Sequence, residues 1–152
     1  DNVMTEKDGI LTVNIPCDKE TEELKLESFI PNEGVIRLTA KKDCKAGFRV
    51  YDWMRDLSVT LNGKKIDGTA SEMKSGDVLQ LNFNADTVEK KENVRGIEFT
   101  VCWRGCDVVD LKPRGEHVRL YQRDLTVPKY YPTHEDVVYT GAANYGPTQQ
   151  KK

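Results

Sequence analysis

Apolar and polar residues alternate with a period of two in five separate segments of this sequence. Successive side chains of a β-strand point to opposite faces of a sheet, so the alternation predicts strands with one buried and one solvent-facing side. The five segments are residues 11–15, 36–40, 57–61, 79–83 and 97–103. No apolar repeat of helical period extends over a normal helix length, and only residues 19–26 have a competing helical propensity. The chain is therefore predicted to be all-β.

Turn-forming residues separate the alternating segments. Asn62 and Gly63 follow one of these segments and form the strongest hairpin signal in the chain, because both residues tolerate positive φ. Residues 86–96 are mostly charged and are predicted to form an exposed loop. Short strands separated by such turns are typical of an antiparallel sandwich or barrel. We predict an antiparallel β-sandwich of the jelly-roll type over residues 1–106.

The character of the sequence changes after Cys106. Residues 108–111 predict one more short strand, and residues 128–132 place two tyrosines between prolines, which favours an extended chain. Residues 107–152 are therefore predicted to be a C-terminal extension, with short strands and extended segments, that packs on the sandwich. Roughly the last ten residues of the extension are predicted to be disordered.

The charge balance excludes some classes of partner. The chain has 23 Lys and Arg against 25 Asp and Glu, a net charge of -2. A general nucleic-acid binder normally carries a strongly basic face, so nucleic acid is not an expected partner. No apolar run approaches the roughly 20 residues that cross a membrane as a helix, so membrane insertion is not expected either.

The residues that nucleophilic or phosphate chemistry requires are largely missing from the sequence. The two histidines are His117 and His134, and neither stands in a nucleophile motif; there is no Gly-x-Ser-x-Gly elbow and no glycine-rich phosphate loop. Cys102, Cys106 and His117 would supply three zinc ligands, whereas a structural zinc site needs four. We therefore rank a zinc-stabilised module third, after the two hypotheses given at the end of this subsection. We predict no catalytic activity, no bound metal and no cofactor.

The number of cysteines is compatible with two disulfides. The four are Cys17, Cys44, Cys102 and Cys106, which allow three pairings. Disulfides persist in oxidising compartments, so bonded cysteines would indicate a secreted or cell-surface protein, whereas four reduced thiols would indicate a cytoplasmic one. Cys102 is expected on the solvent-facing side of its strand, because the apolar positions beside it define the other face.

A series of motifs extends from the first cysteine to the last alternating segment. In order these are Cys17, residues 34–38, Cys44, residues 48–52, residues 79–86 and residues 96–99. On these motifs, residues 17–103 resemble a CUB domain, a β-sandwich family of secreted and cell-surface proteins. The resemblance implies a disulfide between Cys17 and Cys44 and ligand binding by loops at one end of the sandwich. Of the calcium-linked acids of that family, Asp86 alone has a counterpart here, and Trp53 stands where the family has a glycine.

Aromatic residues outside the alternation are candidate binding residues, because large rings bury much area at low entropic cost. The alternative is that the tyrosines pack against a sheet. The predicted binding residues are Tyr51, Asp52, Trp53, Asp86, Tyr130 and Tyr131.

Taken together, these features predict a non-catalytic extracellular module, secreted or on the cell surface, that recognises a protein or glycan partner through loops and exposed aromatics. The alternative is an intracellular β-rich adaptor or assembly subunit with reduced cysteines, in which the tyrosine-rich tail docks a partner.

Overall fold

All regular secondary structure in the described part of the chain is β-structure. The computed structural model describes residues 2–113 and 125–126, and most of the predicted C-terminal extension lies outside these residues. Within them, no helix is long and apolar enough to span a membrane. The prediction of an all-β fold is confirmed. Residues 19–26, which had competing helical propensity, form two strands separated by a turn.

Thirteen strands are present in the described residues. In chain order they are β1 (Met4–Lys7), β2 (Ile10–Val13), β3 (Lys19–Glu20), β4 (Leu24–Ser28), β5 (Val35–Ala40), β6 (Cys44–Phe48), β7 (Arg55–Leu61), β8 (Lys64–Ile66), β9 (Ala70–Met73), β10 (Val78–Asn84), β11 (Thr87–Val94), β12 (Ile97–Arg104) and β13 (Asp107–Lys112). They form a four-stranded sheet in the order β1-β2-β6-β9, a six-stranded sheet in the order β3-β4-β5-β10-β7-β8, and a three-stranded sheet in the order β11-β12-β13.

The centre of the six-stranded sheet is the antiparallel pair β5 and β10. Ile36 lies opposite Leu81, and Leu38 lies opposite Leu79, so the apolar positions of the two strands share one face. All four side chains are almost completely buried. On the other face, the Arg37 side chain donates a hydrogen bond to Gln80. The alternation in these two strands therefore sorts side chains between core and solvent as predicted.

The four-stranded sheet covers the apolar face of the six-stranded sheet. Val13, Ala46 and Met73 belong to the same hydrophobic cluster as the buried residues of β4, β5, β7 and β10, so the two sheets pack as a β-sandwich. The predicted sandwich is confirmed. The pairing is antiparallel throughout the six-stranded sheet, whereas β2 and β6 of the smaller sheet are parallel. Ile15, predicted in the first alternating segment, lies beyond the end of β2 and is exposed.

The third sheet is an antiparallel meander built on the segment that the sequence indicated as a loop. β11 pairs with β12 along its whole length, so the prediction of an exposed loop over residues 86–96 is wrong. Every residue of β11 is exposed, and its charged side chains therefore carry no period-two signal. Its pairing comes from backbone hydrogen bonds and from a tight turn in which Arg95 and Gly96 both have positive φ. The boundary predicted after residue 106 falls in the turn between β12 and β13.

The four cysteines are free thiols, so the predicted disulfides are absent. Cys17 precedes β3 at the edge of the six-stranded sheet, whereas Cys44 begins β6 inside the four-stranded sheet. Cys17 itself lies in a bend outside the strands, and it forms no bond with Cys44. Cys102 is buried, not solvent-facing as expected, because the apolar face of β12 is the more open side of its sheet.

Two carboxylates hold the turn between β9 and β10. The Asp77 carboxylate accepts hydrogen bonds from the Asn62 side chain (2.8 Å) and from the backbone N–H of Lys74 (2.7 Å). The Asp43 carboxylate accepts from the Lys74 ammonium (2.8 Å) and from the backbone N–H of Ser75 (3.0 Å). These hydrogen bonds favour the ionised forms, so the Asn62 side chain lowers the pKa of Asp77 and the Lys74 ammonium lowers the pKa of Asp43.

The first prediction concerns the core. Leu38→Ala should lower the free energy of unfolding by about 2–5 kcal/mol, because it removes buried methyl groups and leaves a cavity at the centre of the sandwich. Leu57→Ala is the matched control, since Leu57 is 40% exposed at a strand position of the same sheet. Urea unfolding of both variants measures the difference. Equal losses for the two variants would contradict the proposed core.

The second prediction concerns acid stability. Because the folded state lowers the pKa of Asp43 and Asp77, both contribute stability at neutral pH, and this contribution is lost as the pH falls below the ordinary aspartate pKa and through the lowered folded values. The double variant Asp43→Asn, Asp77→Asn should therefore lose less unfolding free energy than wild type between about pH 5 and about pH 2. Urea unfolding at both pH values measures this difference, and parallel losses would show that neither group is linked to folding.

Candidate functional site

A cleft of about 450 Å³ lies between the sandwich and one face of the three-stranded sheet. Its lining residues are Trp53, Arg55, Asp86, Val88, Lys90, Trp103, Gly105 and Cys106. Three of them come from the sandwich side, two from β11, and three from the end of β12 and the turn that follows it. Both tryptophans of the sequence are in this lining.

The wall on the sandwich side is a tryptophan held by other aromatic rings. Trp53 lies in the turn between β6 and β7, and its ring is stacked on Tyr51, with centroids 5.6 Å apart and planes 8° apart. It also meets Phe83 edge-to-face, with centroids 5.6 Å apart and planes at 74°. Both arrangements are favourable for aromatic pairs. The orientation of Trp53 is therefore set before any ligand arrives.

Tyr51 is in turn fixed by its own partners. Its hydroxyl donates a hydrogen bond to the carbonyl oxygen of Asn14, and the Arg49 guanidinium lies 5.1 Å from its ring centroid. The guanidinium, the tyrosine ring and the Trp53 ring therefore form a short cation–aromatic stack. Tyr51 supports the wall of the cleft and is not part of the lining.

The opposite wall is formed by one face of β11 and β12. Val88 and Lys90 are two residues apart and lie on the same side of β11. Trp103 of β12 lies directly opposite Val88, and Val101 lies directly opposite Lys90. Cross-strand neighbours at this spacing contact each other, so the Lys90 ammonium rises from an apolar surface.

The turn between β12 and β13 closes one end of the cleft. Gly105 has a φ of +62°, and a Cβ atom at this position would lie 3.1 Å from Cζ3 of Trp53. Only glycine adopts this backbone conformation without strain and leaves room for the indole ring. This close approach brings the three-stranded sheet against the aromatic wall of the sandwich.

The charged residues of the cleft are incompletely neutralised. The Arg55 Nε lies 3.8 Å from the Asp86 carboxylate, and the two side chains are 70% and 57% exposed, so this ion pair is long and contributes little stability. Within the described residues, the Lys90 side chain has no hydrogen-bonding or ionic partner. Two cations and one anion therefore line the cleft.

The thiols of the three-stranded sheet are not activated nucleophiles. Burial raises the pKa of the Cys102 thiol, and the Glu89 carboxylate that accepts its hydrogen bond raises it further. Cys106 as a residue is exposed, but partial burial of its thiol and the nearby Asp107 carboxylate raise its pKa as well. Both thiols are therefore protonated at neutral pH, whereas the thiolate is the nucleophile and the metal ligand.

The structure brings only part of the predicted site together. Trp53 and Asp86 line the cleft, Tyr51 supports Trp53, and Asp52 is exposed outside the lining. The other predicted site residues, Tyr130, Tyr131 and the candidate zinc ligand His117, lie outside the described residues. In the part of the chain that is described, no group of three His, Cys, Asp or Glu side chains converges on a possible metal site.

Three residues that line the cleft were not among the binding residues predicted from the sequence. Arg55 is the first residue of β7, and its positive charge alone did not indicate a binding residue. Lys90 belongs to the segment interpreted as a loop, so its position on a sheet face was not foreseen. Trp103 ends the alternating segment of residues 97–103, and it was not among the predicted binding residues. The sequence feature that could have indicated Trp103 is its period-two alternation with Val101, in a strand that has few apolar residues in the neighbouring segment to pack against.

Comparison with known proteins places the fold. No protein-family model matches the chain, and no match is found among curated proteins. A solved structure described as a glycoside hydrolase is similar over 70% of this chain and 22% of its own, with 20% identity and a TM-score of 0.51. A GH127 β-L-arabinofuranosidase from Geobacillus stearothermophilus T6 matches over 70% and 21%, with 21% identity and a TM-score of 0.47. A second GH127 β-arabinofuranosidase matches over 70% and 23%, with 19% identity and a TM-score of 0.46.

The fold is therefore that of a β-sandwich also present in part of a glycoside hydrolase. This chain spans about a fifth of the length of these solved structures. The predicted membership in the CUB family is wrong. The β-sandwich matches part of a glycoside hydrolase, and the disulfide that the CUB family implies between Cys17 and Cys44 is not formed.

The third prediction tests the contact that closes the cleft. Gly105→Ala should lower the unfolding free energy and shift the tryptophan emission, because the new methyl group approaches Trp53 and the backbone is strained. Gly96→Ala is the matched control, since Gly96 also has positive φ (+84°) but has nothing within 4 Å of its would-be Cβ atom. Thermal unfolding and fluorescence spectra of both variants make the comparison. The same emission spectrum in both variants would mean that Gly105 does not touch Trp53.

Proposed function

We propose that this chain is a non-catalytic carbohydrate-binding domain whose ligand occupies the cleft between Trp53 and Trp103. The observation that carries the proposal is the combination of two tryptophans with charged side chains around one open cavity. Ligand sites are mostly apolar concave surfaces with a few placed polar groups. A sugar ring presents flat C–H faces to aromatic rings and hydroxyl groups to charged side chains, so both features of the cleft have a counterpart in a saccharide.

The fixed position of Trp53 supports binding without rearrangement. Tyr51 and Phe83 hold its ring in contact with the sandwich, so little side-chain freedom is lost when a ligand packs on it. Preorganised aromatic side chains lower the entropic cost of binding in this way. Asp86 and Arg55 at the sandwich side are exposed enough to exchange water for sugar hydroxyls.

The chemistry of the cleft favours binding over hydrolysis. Most glycosidases use two carboxyl groups that flank the scissile bond, one as acid and one as base or nucleophile. The described lining of this cleft supplies one carboxylate, that of Asp86, and it already faces Arg55. The raised pKa of the Cys106 thiol disfavours a nucleophilic role for the cysteine in the lining.

The fold comparison favours a glycan over a protein as the ligand. The similar solved structure is described as a glycoside hydrolase, and this chain matches about a fifth of it. A β-sandwich that accompanies carbohydrate-active machinery has an obvious use for a saccharide-binding cleft. Secretion or surface display stays a prediction, as does the intracellular alternative, and free thiols remove the disulfide argument for the extracellular location.

The fourth prediction tests the site with intrinsic fluorescence. Both tryptophans line the cleft, so titration with soluble oligosaccharides from arabinan, xylan, galactan and pectin should change the emission of the wild-type chain. Trp103→Ala should weaken binding of any responding oligosaccharide at least about tenfold, which corresponds to about 1.4 kcal/mol. Isothermal titration calorimetry gives the affinities independently of the lost fluorophore.

Ile97→Ala serves as the matched control for this experiment. Ile97 is a large apolar residue of the same strand and is 54% exposed, but it does not line the cleft. Its substitution should leave the affinity unchanged. A folded wild-type chain that binds none of the oligosaccharides, or equal losses for the Trp103 and Ile97 variants, would refute the proposal.

A further inference from the structure

We infer that the cleft selects an acidic saccharide, one that contains a uronic acid whose carboxylate lies against Lys90 and Arg55. This inference rests on the proposed carbohydrate-binding function and specifies its ligand class. The cleft lining combines two cations with a single anion. The chain as a whole has a net charge of -2, so the excess of positive charge is a local property of the cleft and does not reflect the overall composition.

Lys90 differs from the other lysines of its sheet in having no counter-ion. On the opposite face of the sheet, Lys91 pairs with Glu98 at 3.0 Å and Lys112 pairs with Glu89 at 3.2 Å. The lysines of that face are therefore paired with carboxylates of other strands, Lys91 with the neighbouring strand β12 and Lys112 with β11 across β12.

The cleft face of the same sheet is arranged differently. Lys90 lies opposite Val101, and Val88 precedes it on the same side of β11. Glu92 follows Lys90 on this side but does not line the cleft and forms no ion pair with it. The ammonium of Lys90 therefore projects from apolar neighbours with its charge uncompensated by the described residues. Because Lys90 is exposed, a ligand carboxylate can reach the ammonium without displacing a carboxylate of the described residues.

Arg55 supplies the second half of the anion site. Its Nε lies 3.8 Å from Asp86, which is beyond hydrogen-bond distance, and its side chain is 70% exposed. The guanidinium has five N–H donors in a planar fork that matches a carboxylate. Asp86 orients this fork without saturating it, and its oxygens remain available for sugar hydroxyls.

The residues that line the cleft favour a sugar acid over an acidic peptide. A uronic acid carries its carboxylate on a rigid six-membered ring, so the ring face and the charge have a set relation to each other. Trp53 and Trp103 provide the flat apolar walls, and Lys90 and Arg55 provide the charge at the rim. An aspartate or glutamate side chain offers a carboxylate but no ring to fill the space between the two tryptophans.

The fifth prediction compares two forms of the same sugars. Oligosaccharides of galacturonate, glucuronate and mannuronate are titrated as carboxylates and as methyl esters; the ester removes the negative charge and adds one methyl group. At least one free acid should bind about tenfold or more tightly than its ester. Raising the ionic strength from about 0.01 to about 0.15 M should weaken binding of the acid and leave the affinity for the ester nearly unchanged, because salt screens the ionic contacts at the exposed rim.

A pair of lysine variants locates the effect. Lys90→Gln should remove most of the preference for the acid over the ester, whereas the adjacent Lys91→Gln should retain it, because Lys91 faces the other side of the sheet. Trp103→Ala should weaken acid and ester alike, which confirms that both occupy the cleft. Both lysines are exposed, so neither substitution removes a core contact.

The outcomes separate this inference from the proposed function. Binding of neutral oligosaccharides alone, equal affinity for every acid and its ester, or equal effects of the two lysine variants would overturn the acidic-saccharide inference and leave carbohydrate binding intact. If no saccharide of either kind binds to the folded chain, both the inference and the proposed function are wrong.

Discussion

The pairing of β5 with β10 is the contact on which the remaining structure depends. Ile36, Leu38, Leu79 and Leu81 meet across this pair, and their burial supplies the centre of the hydrophobic core. Each buried side chain of this size stabilises the fold by about 1.5–3 kcal/mol relative to exposure. The position of the cleft depends on this pair, because β7, which begins with Arg55, pairs with β10. Asp86 follows β10 after one intervening residue.

A few aromatic contacts then determine where the three-stranded sheet meets the sandwich. Trp53 touches Phe83 of β10 on the sandwich side and approaches Gly105 on the side of the three-stranded sheet. The meander itself buries little, since Cys102 and Val109 are its buried apolar residues. The same tryptophan therefore joins the two parts and forms a wall of the cleft. The position of the cleft is therefore a consequence of how the sheets meet.

The two faces of the meander differ in how their charges are paired. On one face, lysines and glutamates of different strands form ion pairs at 3.0 and 3.2 Å. On the other face, Lys90 stands among apolar residues and faces a cavity. Exposed ion pairs contribute little to stability, so the arrangement of these charges affects what the surface attracts more than how firmly the sheet folds.

The sequence by itself determined the fold class and the buried faces of the central strands, because period-two alternation is a local property that each strand displays alone. It also identified Trp53 and Asp86 as candidate binding residues. It did not predict β11, whose exposed residues carry no apolar pattern, or the free cysteines, because pairing depends on the spatial separation of residues that are distant in sequence. Only the tertiary structure decided that Trp103 and Lys90 line one cleft with Trp53, because residues distant in sequence converge through sheet packing that no local pattern encodes.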